Sequence, residues 1–233
     1  MMNVEAGKCD AAVAVFLTLS GGFLDTFAYV GHGHVFANTM TGNVALLGVN
    51  LAETDWRQAR RHVPPLIAFV LAIFVVHLLA LAASAGHRWA RQPAIACLLL
   101  EIAFLTTAAS GVVPIADSWL IPSISFVATL QTLSFTHLRN LSYTSVMTTG
   151  NLRRAAQALF SGLLPKRDIN SLHEARLLGM IGLSFLVGAI LGGVATRTLH
   201  DSTLWLAAAL LVAALVQILR VARRTSDMTD NDL

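Results

Sequence analysis

The stretch Asn38-Thr39-Met40-Thr41-Gly42-Asn43 returns in part as Met147-Thr148-Thr149-Gly150-Asn151. Both copies are polar, both contain glycine, and both sit among apolar segments, where a bilayer penalises exposed polar backbone. The two Thr-Gly-Asn triplets lie 108 residues apart, close to half of a 233-residue chain. This spacing predicts a duplicated membrane unit with one polar element in each half. Transporters and channels build central pathways from such units.

Composition sets the class around that pair. Apolar residues make up 55% of the chain, charged residues 12%, and mean hydropathy is +0.66. An ordinary soluble domain is about a quarter charged. Residues 11–30, 63–85, 93–113, 119–138, 177–195 and 203–221 form apolar runs. Each meets or approaches the roughly 18 residues that match a bilayer core. A soluble helical protein with six such runs would keep no polar face for water, so the reading is a polytopic membrane protein with the lipid bilayer as its main partner.

The net charge of +3 does not point to nucleic acid. The basic residues gather at the ends of the runs: Arg57, Arg60 and Arg61; Arg88 and Arg91; Lys166 and Arg167; Arg220, Arg223 and Arg224. Clusters of this kind orient membrane segments. Lys8 is the one basic residue ahead of the first run, which is longer than a signal h-region and holds Asp25, so no cleavable signal is expected. Cys9 and Cys97 read as unpaired thiols. Residues 225–233 read as a short solvated tail.

Within a single membrane domain, 1–233, the first repeat is expected over 11–113 and the second over 119–221. A constant shift of 108 places 63–85 on 171–193, 93–113 on 201–221, and the pair Ala80 and Ser84 on Gly188 and Gly192. Small residues four apart let helix backbones approach closely in lipid. If the two Thr-Gly-Asn segments cross fully, each half has four spans and the repeats run parallel. If they are re-entrant, each half has three and the repeats are inverted. Thr, Gly and Asn interrupt both segments, which favours an all-α bundle of six full spans plus two broken or re-entrant polar helices.

The candidate pathway residues follow. Asn38, Thr39, Thr41, Gly42, Asn43, Thr148, Thr149, Gly150 and Asn151 can break a helix and cap its first N–H groups, at the end with positive dipole character. The alternative is tight helix packing through Thr and Asn hydrogen bonds. Asp25 lies well inside the first run, where a carboxylate is costly unless protonated, paired or facing water. It reads as a coupling group for a proton or cation, or as a structural carboxyl. Glu101 and His77 are further polar or coupling candidates, but the shift places Ala209 and Phe185 opposite them, so they lie outside the repeated frame. Gly31-His32-Gly33-His34 has too few ligands for a metal site. There is no Ser-His-Asp context, His-Glu-x-x-His pair or phosphate loop, so no catalytic residue, metal or cofactor is expected.

Gly21-Gly22-Phe23-Leu24-Asp25, followed by Val35-Phe36-Ala37-Asn38-Thr39-Met40-Thr41-Gly42-Asn43, resembles the first half of a bacterial membrane family called domain of unknown function 1275, or the YoaK family. Leu130-Gln131, Thr148-Thr149-Gly150-Asn151-Leu152-Arg153-Arg154 and Ser184-Phe185-Leu186-Val187-Gly188 resemble its second half, with Thr132 where the family often has Asn. The resemblance implies a six-span, multi-pass protein of the bacterial inner membrane, described as a transporter with no established substrate, and adds Gln131 to the pathway residues. The expected function is a carrier or channel for a small polar solute, with Asp25 as the candidate for proton coupling. A homo-oligomer is compatible with the sequence. The alternative is a membrane scaffold or assembly partner that moves nothing.

Overall fold

A computed structural model describes residues 8–85, 93–138, 141–146, 148–165 and 167–230; Arg88, Arg91, Met147 and Lys166 of the sequence reading lie outside them. The described chain is helical apart from a ladder of three two-residue strands, β1 (Lys8–Cys9), β2 (His137–Leu138) and β3 (Leu141–Ser142). Its helices are α1 (Ala11–Gly31), α2 (Met40–Ala52), α3 (Trp56–Ser84), α4 (Pro93–Ser110), α5 (Asp117–Ser134), α6 (Thr148–Leu163), α7 (Ile169–Leu199) and α8 (Leu204–Asp230). Residues 225–230, expected to form part of a solvated tail, continue α8.

Among the described residues, three stretches are long and apolar enough to cross a membrane: Ala11–Gly31, Trp56–Ser84 and Ile169–Arg223, the last broken at His200–Thr203 into α7 and α8. At 1.5 Å per residue, α2 with 13 residues and α6 with 16 rise only about 20 and about 24 Å. Both fall short of a hydrocarbon core of roughly 30 Å.

Packing is built on α1, which carries twelve buried residues and meets neighbours on nearly all sides. It runs parallel to α7, because Gly188 lies against Leu19 and Gly192 against Phe23. A Cβ at Gly22 would overlap the Phe185 carbonyl, and one at Gly188 would overlap that of Leu19. Glycine on both sides therefore lets the two backbones touch. The Thr26 hydroxyl donates across the same crossing to the Ala189 carbonyl at 2.8 Å. The remaining packing pairs α3 with α5, α2 with α3, α6 with α7, α1 with α8, and α4 with both α5 and α8.

Candidate functional site

After Gly31 the chain reverses. Gly33 and His34 take left-handed backbone angles, φ 83° and 59°, and the segment returns along α1. It reaches the middle of that helix, where the Asn38 side-chain amide donates to the Gly21 carbonyl at 3.2 Å. Here α2 begins. Asp25 holds its start: Oδ1 accepts the Asn38 N–H at 2.6 Å and the Thr39 N–H at 3.2 Å, and Oδ2 accepts the Thr39 hydroxyl. An anion at a helix N-terminus satisfies orphan donors and opposes the dipole. α2 then returns toward the end of α1 it came from, since Gln58, on the first turn of α3, donates to the Gly33 carbonyl.

The second polar element does the same from the other end. β2 pairs with β1, just ahead of α1. From there the chain climbs to Ser145 and Val146, which lie beside Gly21; a Cβ on that glycine would sit 2.9 Å from Val146 Cγ1. α6 starts next to this point and runs back to the foot of α7, where the Asp168 N–H bonds the Gly162 carbonyl at 3.0 Å. The two elements thus approach the middle of α1 from opposite ends. α5 completes the junction: Ser125 Oγ donates to the Ala37 carbonyl at 2.6 Å, and the Thr132 and Ser145 hydroxyls meet at 3.2 Å.

The two asparagines of the triplets make one and the same clasp. Asn43 Oδ1 accepts the Phe36 N–H at 2.9 Å while its Nδ2 donates to the Phe36 carbonyl at 2.8 Å. Asn151 Oδ1 accepts the Thr144 N–H at 3.4 Å while its Nδ2 donates to the Thr144 carbonyl at 2.6 Å. Each side chain spans seven residues and fastens the entry segment to the helix that follows. Asn43 and Asn151 are buried, as is Asn38. Thr41, Thr149 and Gly150 are exposed, and Thr39, Gly42 and Thr148 are half-buried. The Phe36 ring lies where a Cβ on Gly42 would be, whereas Gly150 faces open space.

The other expected residues form no side-chain hydrogen bond with the junction among the described residues. His77 is exposed on α3. Glu101 is buried on α4 and Gln131 on α5; Glu101 Oε2 and Gln131 Nε2 find no hydrogen-bond partner among the described residues. Ala80 and Ser84, expected at a close crossing, are exposed, and the Ser84 hydroxyl bonds its own helix at Leu81. The reason is register. α2 and α6 start 108 residues apart, but α6 is three residues longer and its connection to α7 two residues longer, so α3 and α7 start 113 apart. Gly188 and Gly192 then match Val75 and Leu79, not Ala80 and Ser84.

Four contributors were not legible as site residues: Ser125, Ser145, His62 and His32. His62 is buried between Asn50 Nδ2, 3.0 Å from Nε2, and Asn43 Oδ1, 3.3 Å from Nδ1. His32 places Nδ1 2.8 Å from Asp117 Oδ1 and Nε2 3.4 Å from Asp201 Oδ1, tying together the end of α1, the start of α5 and the turn before α8. Among the described residues no group of three His, Cys, Asp or Glu side chains is arranged to hold a metal ion.

Apolar helices of membrane-crossing length, grouped around a polar junction, define an all-α membrane protein embedded in lipid. The chain belongs to the family described as protein of unknown function DUF1275, whose model matches residues 13–217. It is similar to the UPF0700 transmembrane protein YoaK of Bacillus subtilis strain 168, with 23% identity over 194 residues, 81% of this chain and 85% of the relative. No solved structure matches it.

Proposed function

We propose that this protein is a multi-pass carrier or channel of the inner membrane, without enzymatic activity, that moves a small polar solute through the junction between its two Thr-Gly-Asn elements. One observation carries the reading: two short helices, α2 and α6, begin beside the middle of α1 after entering from opposite ends. Their first N–H groups and positive dipole ends converge where a solute would cross. Broken helices lining a central site are the usual architecture of such carriers.

In this reading α1, α3, α4, α5, α7 and α8 cross the bilayer, α2 and α6 are re-entrant, and the halves are inverted repeats. Several observations support the duplication. The asparagine clasps match at a shift of 108. The packing is reciprocal as well: α1 with α7 mirrors α5 with α3, α2 with α3 mirrors α6 with α7, and α1 with α8 mirrors α5 with α4. Charge supports the orientation. Arg153, Arg154, Arg167, Arg176, Arg220 and Arg223 fall on the face of α1's N-terminus, against Arg57, Arg60, Arg61 and Arg197 on the other, which makes the first face cytoplasmic.

The halves differ at one decisive position, since the shift places Leu133 where Asp25 stands. Of the two short helices, α2 alone starts against a carboxylate among the described residues. Protonation of Asp25 would weaken three charge-assisted hydrogen bonds at once and free the start of α2, which gives a direct route from proton binding to opening.

A screen of small polar solutes in proteoliposomes, with and without a pH gradient, tests the proposal. A carrier or channel moves at least one solute faster than empty vesicles; a protein that only scaffolds others moves none.

A further inference from the structure

We infer that the end of the bundle at the C-terminus of α1 carries a binding site for a small oxyanion of the carboxylate or phosphate class. Arg57, Arg60, Arg61 and Pro64 follow the spacing i, i+3, i+4 and i+7, which places them on one face of α3. That face lines a cavity of about 350 Å³, closed on the other side by His32 and by Asp117 at the start of α5. None of the three guanidinium groups has an ion pair or hydrogen bond among the described residues. The carboxylate in the wall, Asp117, faces His32 at 2.8 Å, and Asp55 accepts the Gln58 N–H at the helix start. In the lining of this cavity three unpaired arginines thus face one carboxylate, so positive charge is in excess there. Arginine suits such a site because its planar fork matches carboxylate and phosphate oxygens.

The walls also supply acceptors. Pro64, Pro65 and Pro122 line the same cavity, and each lacks the N–H that would pair with the carbonyl four residues earlier. The carbonyls of Arg60, Arg61 and Ser118 thereby lose their usual i+4 partner, which favours an oxyanion that also carries an N–H or O–H donor. A second cavity of about 340 Å³ shares His32 and contains Arg197 with Asp201. All four Lys or Arg residues at this end, among the described residues, thus line one or other of the two cavities. In the crossing order proposed above this is the non-cytoplasmic face, where such residues are disfavoured. That last argument rests on the proposed topology; the cavities and their free arginines do not.

The test measures binding rather than transport, so its failure is separable from failure of the transport reading. Purified full-length protein in neutral detergent is dialysed to equilibrium against radiolabelled inorganic phosphate. In a parallel arm, protein in nanodiscs of phosphatidylglycerol or of phosphatidylcholine is released, and retained lipids are counted by native mass spectrometry. The variants are R60Q/R61Q, R60K/R61K and, as a basic control at the other end, R223Q. All these residues are exposed, and unchanged thermal unfolding without ligand confirms intact folding. Saturable phosphate binding that falls at least about tenfold in R60Q/R61Q, less in R60K/R61K and not in R223Q supports a free oxyanion site. Retention of phosphatidylglycerol alone, lost in the same pattern, identifies a lipid headgroup as the source of the same chemistry. Binding of neither, or equal loss in R223Q, overturns the inference.

Discussion

At the residue scale, the repeated Asn is explained by a single task performed twice. A carboxamide carries a donor and an acceptor, so it can satisfy the N–H and carbonyl of one backbone residue together. Asn43→Ala leaves both Phe36 groups unpaired in a half-buried setting and is expected to cost roughly 1–3 kcal/mol, with a similar loss for Asn151→Ala at Thr144. Thermal unfolding in detergent measures this. Asn43→Asp keeps a donor for the Phe36 carbonyl only when protonated and sets a buried carboxylate against it when ionised, so its destabilisation should grow as pH rises. Asp25→Asn is expected to preserve expression and helix content, because an amide oxygen still accepts from Asn38 and Thr39. If Asp25 couples transport to protons, flux through the variant loses its pH dependence, and pH-dependent flux in a well-folded Asn variant would remove Asp25 from that role. Asp25 was legible as a charge inside an apolar run. Its partners were not, because backbone N–H groups thirteen and fourteen residues away leave no mark in side-chain identity. The same is true of Ser125, whose contact with Ala37 joins positions 88 residues apart.

At the element scale, the α1–α7 crossing depends on backbone contact. Gly188→Leu is expected to force the helices apart at a cost of about 1–3 kcal/mol or more, whereas Gly179→Leu, on the same helix with open space around its Cα, should be tolerated. Detergent unfolding of the two variants side by side separates close packing from a general effect of Leu in α7. The start of α7 is pH-sensitive. The Ser171 hydroxyl, with the Asn170 and Ser171 N–H groups, holds the Asp168 carboxyl below its usual range. The cap is therefore fully effective above the ordinary carboxylate pKa and is lost as pH falls through the lowered value. Hydrogen-exchange protection at Asn170 and Ser171, taken relative to the intrinsic rate at each pH, should fall on acidification in wild type and be low at all pH values in Asp168→Ala. The existence and order of the long helices were legible from hydropathy. The small-residue pair on α3 was not, because a constant shift ignores the five residues by which the second half lengthens between its short and long helices.

At the scale of the whole molecule, α2 and α6 are proposed to enter the bilayer from opposite faces and to meet beside Gly21. Their interruption by Thr, Gly and Asn was visible in sequence, but their direction was not, since a short apolar segment reads alike whether it crosses or turns back. Direction emerges from contacts such as Gln58 with Gly33, which bring the end of α2 back to its starting level. Side-specific labelling tests this in a Cys9→Ser, Cys97→Ser background carrying E53C, V112C or L164C in turn, with an impermeant maleimide applied to right-side-out and inverted vesicles. Re-entrant α2 and α6 predict that E53C and V112C are labelled from the non-cytoplasmic face and L164C from the cytoplasmic face. Labelling of all three from one face would mean that both short helices cross, and would contradict the account.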